Sequence, residues 1–392
     1  TKAGKVSVIP YFSTASLSKD PNIIIPDSII KYVDQLDNPK DRMHYLNKQA
    51  IALEEASPDA SIQLSLTALE IAVKYEFLKD IAQIYNNLGY AHQIKHAYPQ
   101  ATEYFQTAMK RYKMLMDLNP DSVRYKTFFI ENLVDLGNSL YYQDLYKQAL
   151  EAYLKSLDMA VQINDSAYQA KIFNNIGNVF ETQNDYAKAF GYLKKALDLK
   201  EKLKDKEGLS TSYNNMGSVY MGLNKPDSAL WYIEKSLELH RLNNNKAGIA
   251  LTLTNIASIL IEDKKYEKAL KHCDEALQLC MALNDEASEA SVLVNLGTIK
   301  LAQGNFKSAE VSLMKAFSIG NNLKINDLIL NSSERLYELF KATGNFQKAL
   351  YYHEEFKKAS ETLLNETQSR SITTLEMQYE FNKQSREKEI EY

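Results

Sequence analysis

The stretch NIGNVFETQNDYAKAFGYLKKA, residues 175–196, decides the fold. Gly177 stands twelve residues before Ala189, and the polar residues 183–185 lie between them. Small side chains at two such positions let two helix backbones approach closely, while larger residues at helical spacing fill the ridges around the contact. The stretch therefore predicts one helical hairpin with a short polar link.

The same pair of an apolar residue and a glycine or alanine recurs along the chain, and we call each such pair a rung. Neighbouring rungs lie 48 residues apart once and 40 residues apart thereafter, which predicts an array of stacked hairpins. The rungs are Leu88-Gly89, Leu136-Gly137, Ile176-Gly177, Met216-Gly217, Ile256-Ala257 and Leu296-Gly297, each followed twelve residues later by an alanine, and the series continues to Tyr337 and Ala349. Ser61 and Ala68 precede Ala101 and Ala108 by 40 residues and indicate a divergent first hairpin. The eight-residue insertion fits most simply near residues 119–121.

Aromatic residues complete the pattern of each hairpin. One lies three residues after the glycine, at Phe180 and Tyr220, and another opens the second helix. The second set comprises Tyr98, Tyr146, Tyr186, Tyr266, Phe306 and Phe346, with Pro226 at the same place once. Over about residues 41–360 the pattern resembles the tetratricopeptide repeat, although the family's common period is about 34. The resemblance implies an all-α fold, a right-handed superhelical solenoid of about eight hairpins.

Composition excludes disordered and collagen-like classes of protein. Charged residues make up 24% and hydrophobic residues 45% of the 392, which is ordinary for a folded chain. The net charge of -4 supplies no basic field for nucleic acid, and no run of eighteen apolar residues predicts a membrane span in this segment. Cys273 and Cys280 are seven residues apart in one predicted helix, roughly 10 Å and too far for a disulfide.

A column of asparagines stands two residues before the rung glycine. It comprises Asn87, Asn175, Asn215, Asn255 and Asn295, with Asp135 and Arg335 as departures. A side-chain amide has donors and acceptors that suit the backbone of an extended peptide, whatever its sequence. In several tetratricopeptide proteins a similar asparagine ladder lines the concave groove. Two interpretations stay open: the amides contact a ligand, or each one bonds a neighbouring helix and fixes the stacking of the repeats.

Neighbouring columns extend this predicted groove. The predicted partner-binding residues are Asn87, Asn175, Asn215, Asn255, Asn295, Tyr90, Asn138, Tyr141, Asn178, Met221, Ile261 and Leu301. The mixture of polar and apolar side chains suits a peptide or protein partner, and a solvated wall with some core is the alternative. The family's clamp for chaperone tails needs a lysine and an arginine, but here Lys171 is followed by Asn175 in the arginine place. Chaperone-tail binding is therefore not favoured.

Catalytic and metal sites find little support. His92 and His96 are four residues apart, which can seat two metal ligands on one helix face, but no third ligand is near in sequence. His92 falls at the core position of Phe180, so a packed histidine is expected, and Cys273 falls at a core position of a second helix. We find no phosphate-binding glycine loop, nucleophile elbow or zinc-protease motif. The sequence predicts a non-catalytic chain without a cofactor.

The two ends lie outside the repeat pattern. Residues 1–40 read as a lead-in with a short helix near residues 27–36, and residues 41–360 form the array. Residues 361–392 predict a long C-terminal helix, because neither glycine nor proline interrupts them. Spacings of mostly three and four indicate a weak coiled-coil seam and a homodimer, and an exposed capping helix is the alternative. The seam comprises Ile372, Leu375, Tyr379, Asn382, Arg386 and Ile390.

Residues 375–390 also resemble the linker of bacterial membrane-anchored tetratricopeptide regulators. In that group the repeats are an extracytoplasmic sensor, and the linker leads through a transmembrane helix to a histidine kinase or a helix-turn-helix domain. The resemblance implies that this chain is the ligand-sensing part of such a regulator, tethered C-terminally on the periplasmic side of the membrane. The alternative is a soluble scaffold adaptor in the cytoplasm that ends near Tyr392.

Overall fold

The computed structural model describes residues 25–362, and every regular element among them is an α-helix. The helices are α1 (Asp27–Asp34), α2 (Pro39–Leu53), α3 (Pro58–Lys74), α4 (Leu78–Ile94), α5 (Tyr98–Leu118), α6 (Val123–Tyr141), α7 (Tyr146–Gln162), α8 (Ser166–Thr182), α9 (Tyr186–Leu203), α10 (Lys206–Gly222), α11 (Pro226–Leu242), α12 (Lys246–Glu262), α13 (Tyr266–Leu283), α14 (Glu286–Ala302), α15 (Phe306–Leu323), α16 (Asn326–Ala342) and α17 (residues 346–362). The predicted all-α class is confirmed. The predicted coiled-coil seam lies outside the described residues.

The chain divides into two compact units, residues 1–172 and 173–392. In the described part of the first unit, α2 packs on α3, α4 on α5 and α6 on α7. In the second, α10 packs on α11, α12 on α13 and α14 on α15, and α16 shares a core cluster with α17. Second helices also pack on the first helix that follows them, as α11 does on α12 and α13 on α14. Consecutive packed pairs of this kind form a solenoid of helical hairpins.

The rung glycines lie where a second helix presses a large side chain onto the first. A methyl group at Gly177 would come closer than 3.0 Å to Leu193, and the other rung glycines are blocked in the same way. The blocking side chains are Phe105 at Gly89, Tyr153 at Gly137, Ile233 at Gly217 and Leu313 at Gly297. Each stands four residues after the predicted alanine, and those alanines are fully buried. The small residues and the large knob together set the closeness of each pair.

A left-handed residue ends nearly every helix, and from Asp144 to Gly344 one recurs at every twentieth position. Asn164, Asn244 and Asn284 have φ of 53°, 51° and 54°, and the residue after each caps the next helix. Asn245, for example, accepts a hydrogen bond from the backbone N–H of Gly248 at 2.9 Å. These Asn-rich links therefore stop one helix and cap the next.

The eight-residue insertion mainly lengthens the helices, and the links take up the rest. Helix α5 has 21 residues and α6 has 19, whereas the later helices have 17 or 18. Only residues 119–122 connect α5 to α6. The predicted position of the insertion was therefore too narrow, because extra turns that bury apolar residues such as Tyr112 and Leu115 cost less than a long exposed loop.

A second contact between successive hairpins of the second unit varies in size. A residue near the end of a second helix faces a residue near the start of the next first helix, and in three of these pairs one member is glycine. The pairs are Lys200 with Gly208, His240 with Gly248, and Gly320 with Leu328. Large side chains meet glycine from either side, so a large residue at one position of a pair requires a small residue at the other.

Candidate functional site

The asparagine column bonds one first helix to the first helix before it. In the first unit, Asn87 of α4 donates from Nδ2 to the Oδ1 of Asn47 of α2 at 3.0 Å. In the second unit, Asn215 of α10 donates to the Oδ1 of Asn178 of α8 at 2.7 Å, and Asn255 of α12 donates to α10. The interpretation of the column as a stacking ladder therefore describes real contacts.

The last two asparagines of the column bond in the same direction, towards the preceding first helix. The Nδ2 of Asn255 donates to the Oδ1 of Asn214 at 3.0 Å. The Nδ2 of Asn295 donates to the Oγ of Ser258 at 3.0 Å and to the backbone oxygen of Thr254 at 3.2 Å. All column side chains are half-buried, so water or a partner still reaches them. These bonds fix each amide in one orientation.

An amide has more hydrogen-bonding capacity than stacking uses. It carries two N–H donors and one oxygen with two lone pairs. Within residues 25–362, Asn255 makes the single bond to Asn214, which leaves one N–H and the oxygen for a partner. The two interpretations of the column are therefore compatible, since one amide can hold a neighbouring helix and face a ligand at the same time.

The other predicted groove residues differ in how far they are committed to the protein itself. Asn138 accepts a hydrogen bond from the hydroxyl of Tyr153 at 2.7 Å, and the ring of Tyr141 meets that of Tyr146 edge-on at 5.5 Å. Tyr90 is 36% exposed. Met221, Ile261 and Leu301 are half-buried against the apolar cores of their hairpins. Tyr90 is thus the most accessible of these side chains in the first unit.

Asp135, the acidic departure from the column, lies at the end of an amide chain in the first unit. Asn132 donates to the Oδ1 of Asn86 at 2.7 Å, and Asn86 donates to the Oδ2 of Asp135 at 3.3 Å. Burial raises the pKa of the Asp135 carboxyl to about 6, although Lys171 and the Asn86 bond oppose the rise. The sequence analysis missed Asn86. Its signal was the double asparagine before the rung, which recurs at residues 174–175 and 214–215.

Lys200 connects the column to the buried side of α9. It is 6% exposed, and its Nζ donates to the backbone oxygen of Gly208 at 2.9 Å and to the Oγ of Ser212 at 2.8 Å. Ser212 in turn donates to the Oδ1 of Asn174 at 3.1 Å, which Asn215 of the column also approaches at 3.4 Å. Burial lowers the pKa of the Lys200 amine to about 8, because the charged form is poorly solvated there.

His92 and the two cysteines belong to the packing, whereas His96 is exposed and shares a hydrogen bond of 2.8 Å with the Tyr98 hydroxyl. His92 stacks on Tyr104 with ring centroids 5.1 Å apart, and burial lowers its pKa. Cys273 and Cys280 are buried free thiols, and burial raises the pKa of Cys273 to about 12. Residues 25–362 contain no group of three His, Cys, Asp or Glu side chains placed to hold a metal ion. Over the same range, no helix has both the length and the apolar character needed to cross a bilayer.

Comparison with known families agrees with the repeat geometry. Family models described as tetratricopeptide repeat match residues 81–122, 129–202, 168–242 and 248–322, which together make up more than half of the chain. The chain belongs to the tetratricopeptide-repeat (TPR) family. A comparison with curated protein sequences found no match.

Several solved structures share the fold of this TPR chain. The Rap conjugation gene regulator of plasmid pLS20, in complex with the Phr* peptide, is 14% identical with a TM-score of 0.63, covering 87% of this chain and 94% of its own. Aspartyl phosphate phosphatase F from Bacillus subtilis is 15% identical with a TM-score of 0.58, covering 85% and 87%. The STAND protein with a TPR sensor from Pyrococcus horikoshii is 14% identical with a TM-score of 0.50, covering 96% and 64%. At these identities the likeness shows the fold alone.

Proposed function

We propose that this TPR chain binds an extended peptide segment of a partner through the asparagine column of its first helices. The observation that supports the proposal is the ladder of the second unit, in which bonds to the preceding first helix fix the amides of Asn215, Asn255 and Asn295 before a ligand arrives. Preorganised donors and acceptors lose little conformational entropy on binding. Asn255, with one N–H and its oxygen left over, is the best-placed contact.

A non-catalytic binding role agrees with the comparisons. The Rap regulator of pLS20 binds the Phr* peptide, and its fold covers most of this chain. The sequence of the present chain holds no recognised catalytic motif. The likeness to an aspartyl phosphate phosphatase is one of fold at 15% identity, so it does not assign that chemistry here.

The column is tested by substitution of three amides that lie at equivalent places. A binding peptide is first selected from a random library with the full chain and labelled for fluorescence anisotropy. We expect Asn175→Ala, Asn215→Ala and Asn255→Ala together to weaken binding by roughly 100-fold, because three hydrogen bonds of about 1 kcal/mol each are lost.

The matched control removes three exposed amides from second helices, at Gln162, Gln278 and Gln347, and should leave affinity within about twofold, an effect of under about 0.5 kcal/mol. Circular dichroism establishes that both triple variants remain helical. The single variant Asn255→Ala, which breaks one stacking bond, takes the place of the triple variant if the latter does not remain helical. Unchanged affinity in the folded column variant would show that the amides serve stacking alone.

The wider role that we propose is the ligand-sensing part of a membrane-anchored bacterial regulator. The resemblance of residues 375–390 to the linker of such regulators supports it, and so does the fold shared with a sensor-bearing STAND protein. In this proposal residues 361–392 pair in a homodimer and relay occupancy. A soluble scaffold adaptor is the alternative.

Mass and membrane fractionation of the native protein distinguish the two roles. A membrane-bound species heavier than the 44.7 kDa of this chain agrees with a sensor. A soluble species near that mass agrees with the adaptor. Truncation after Glu361 should abolish the dimer if the terminal helix forms it, and sedimentation velocity measures that change.

A further inference from the structure

Two successive hairpins of the second unit carry the same aromatic pair with a lysine. In the first of them, Phe173 of α8 and Tyr192 of α9 lie with ring centroids 6.1 Å apart. The Nζ of Lys195 sits over both rings, 5.5 Å from the Phe173 centroid and 5.3 Å from that of Tyr192. The chain's own cation thus covers this pair.

In the next hairpin, forty residues later, the corresponding lysine does not lie over the aromatic pair. Tyr213 of α10 and Tyr232 of α11 repeat the pair, with centroids 6.0 Å apart. Lys235, which corresponds to Lys195, instead pairs with the Oε2 of Glu238 at 3.0 Å. Within residues 25–362, no lysine or arginine lies over the Tyr213 or Tyr232 ring.

A third ring enlarges the second pair. Trp231, the only tryptophan of the chain, stands where the preceding hairpin has Gly191, and it is 52% exposed. Its indole meets Tyr232 edge-on at 4.8 Å and 84°, and Tyr213 at 6.5 Å and 86°. A recess of about 290 Å³ opens here, lined by Asp227, Ser228, Trp231 and Tyr232.

The charge around the rings is mainly negative. Asp227 lies one helical turn before Trp231, and Glu201 accepts a hydrogen bond from the Tyr213 hydroxyl at 3.3 Å. Lys265 is close enough to Asp227 to interact with it electrostatically, but its ammonium group is paired with Asp263. Aromatic faces beside carboxylates attract an organic cation, and a planar guanidinium can stack on indole while it bonds a carboxylate.

We propose that Trp231, Tyr232, Tyr213 and Asp227 form a binding site for an arginine side chain of a protein partner. The guanidinium stacks on the indole with its edge over the Tyr232 ring, which stands at 84° to the indole, and donates to the Asp227 carboxylate. It thereby covers Tyr232 as Lys195 covers Tyr192 in the preceding hairpin. The site stands on α11 and the adjoining face of α10, and it uses none of the column asparagines. It therefore goes beyond the proposed peptide-backbone contacts and does not depend on them.

The single tryptophan makes the site directly observable in the full chain. Trp231 emission is followed while N-acetyl-arginine methylamide is added, and the citrulline counterpart serves as the neutral probe of nearly equal shape. We expect a saturable change with the arginine probe and none with citrulline. Asp227→Asn should weaken binding about threefold or more, and the column triple variant should bind the probe as the natural chain does.

A variant outside the site provides the sharper test. Glu238→Gln releases Lys235, which can then swing over Tyr232 as Lys195 does over Tyr192, so the probe should bind about threefold more weakly. The matched control is Glu310→Gln, which releases Lys348 from an exposed pair of the same length, 3.0 Å, between α15 and α17 and should change nothing. Trp231→Leu, followed by saturation-transfer NMR of the probe, should lose binding.

Several outcomes would overturn the assignment. Equal binding of the citrulline probe would make the site a simple apolar patch. No saturable response to the arginine probe would remove the site altogether. Tighter binding of tetramethylammonium than of the arginine probe would assign a quaternary ammonium ligand instead, and equal affinities of the natural chain, Asp227→Asn and Glu238→Gln would place the probe elsewhere.

Discussion

The contact between His240 and Gly248 gives a quantitative test of how hairpins lock together. Gly248→Ala adds a methyl group that would lie closer than 3.0 Å to three atoms of the His240 ring. Overpacking of this kind costs about 1–3 kcal/mol, and the helix gains about 0.5–1 kcal/mol when alanine replaces glycine. We expect a net destabilisation of about 0.5–2 kcal/mol.

Removing the ring should reverse the sign of the effect. In a His240→Ala background the methyl group has room, so Gly248→Ala should stabilise by about 0.5–1 kcal/mol. The coupling between the two positions is then about 1–3 kcal/mol. Gly191→Ala is the matched control, because a methyl group there meets no atom within 4 Å, and it should stabilise by about 0.5–1 kcal/mol in the natural chain.

The measurement is urea unfolding by far-ultraviolet circular dichroism for the natural chain, both single variants and the double variant. It is made above pH 7.5, where His240 is neutral because burial lowers its pKa. Repeat arrays can unfold in steps, so midpoints are compared within one transition of unchanged slope. If Gly248→Ala had the same effect with and without the His240 ring, the two residues would not interlock and the reasoning would fail.

Three further predictions concern buried ionisable groups. The folded pKa of Asp135 is raised from 3.8 to about 6, so the ionised group costs stability above pH 6, and the cost disappears as the pH falls towards 3.8. Asp135→Asn should therefore exceed the natural chain in stability at pH 7.5 by about 2–3 kcal/mol and approach it near pH 4. A difference in urea midpoint that is constant with pH would contradict this. The folded pKa of Lys200 is lowered from 10.5 to about 8, so the natural chain should gain stability relative to Lys200→Met as the pH rises from 8 towards 10, and parallel curves would count against it. Cys273 and Cys280, whose pKa values are raised by burial, should react with iodoacetamide at pH 8 only after urea is added, whereas labelling of the folded chain at the rate of free cysteine would exclude their burial.

The repeat and the helix ends were predictable because they depend on local chemistry. A glycine at the crossing of two helices and an asparagine at a left-handed position are each required by their own backbone geometry. The large side chain that presses on each rung glycine was not predicted. Leu193 and Tyr153 differ in shape, so no single residue type marks the position that presses on the glycine, and only its offset from the alanine is constant.

The candidate site could be predicted only in part, since sequence shows which positions share a face but not which partner a side chain selects. The asparagine column was visible, but its bonds to the preceding helix depend on how closely the first helices approach. Lys195 and Lys235 occupy the same place in their repeats and point in different directions. Lys235 pairs with Glu238, whereas Lys195 lies over the Tyr192 ring although Asp198 stands three residues after it. The orientation of each lysine depends on neighbours three residues away and in other helices. The proposed arginine site around Trp231 can be found only after the orientation of Lys235 is known.

The paired sizes at the hairpin junctions bear on how this array can change by recombination. A chain that lacked residues 208–247 would bring Lys200 against Gly248, two partners that already fit their neighbours. A chain that lacked residues 248–287 would keep every rung in register and yet press the His240 ring against Ser288. Two deletions of equal length therefore differ in their effect on packing. The junction contacts determine which hairpins can be neighbours, whereas the small residues repeated at the helix crossings would allow any order.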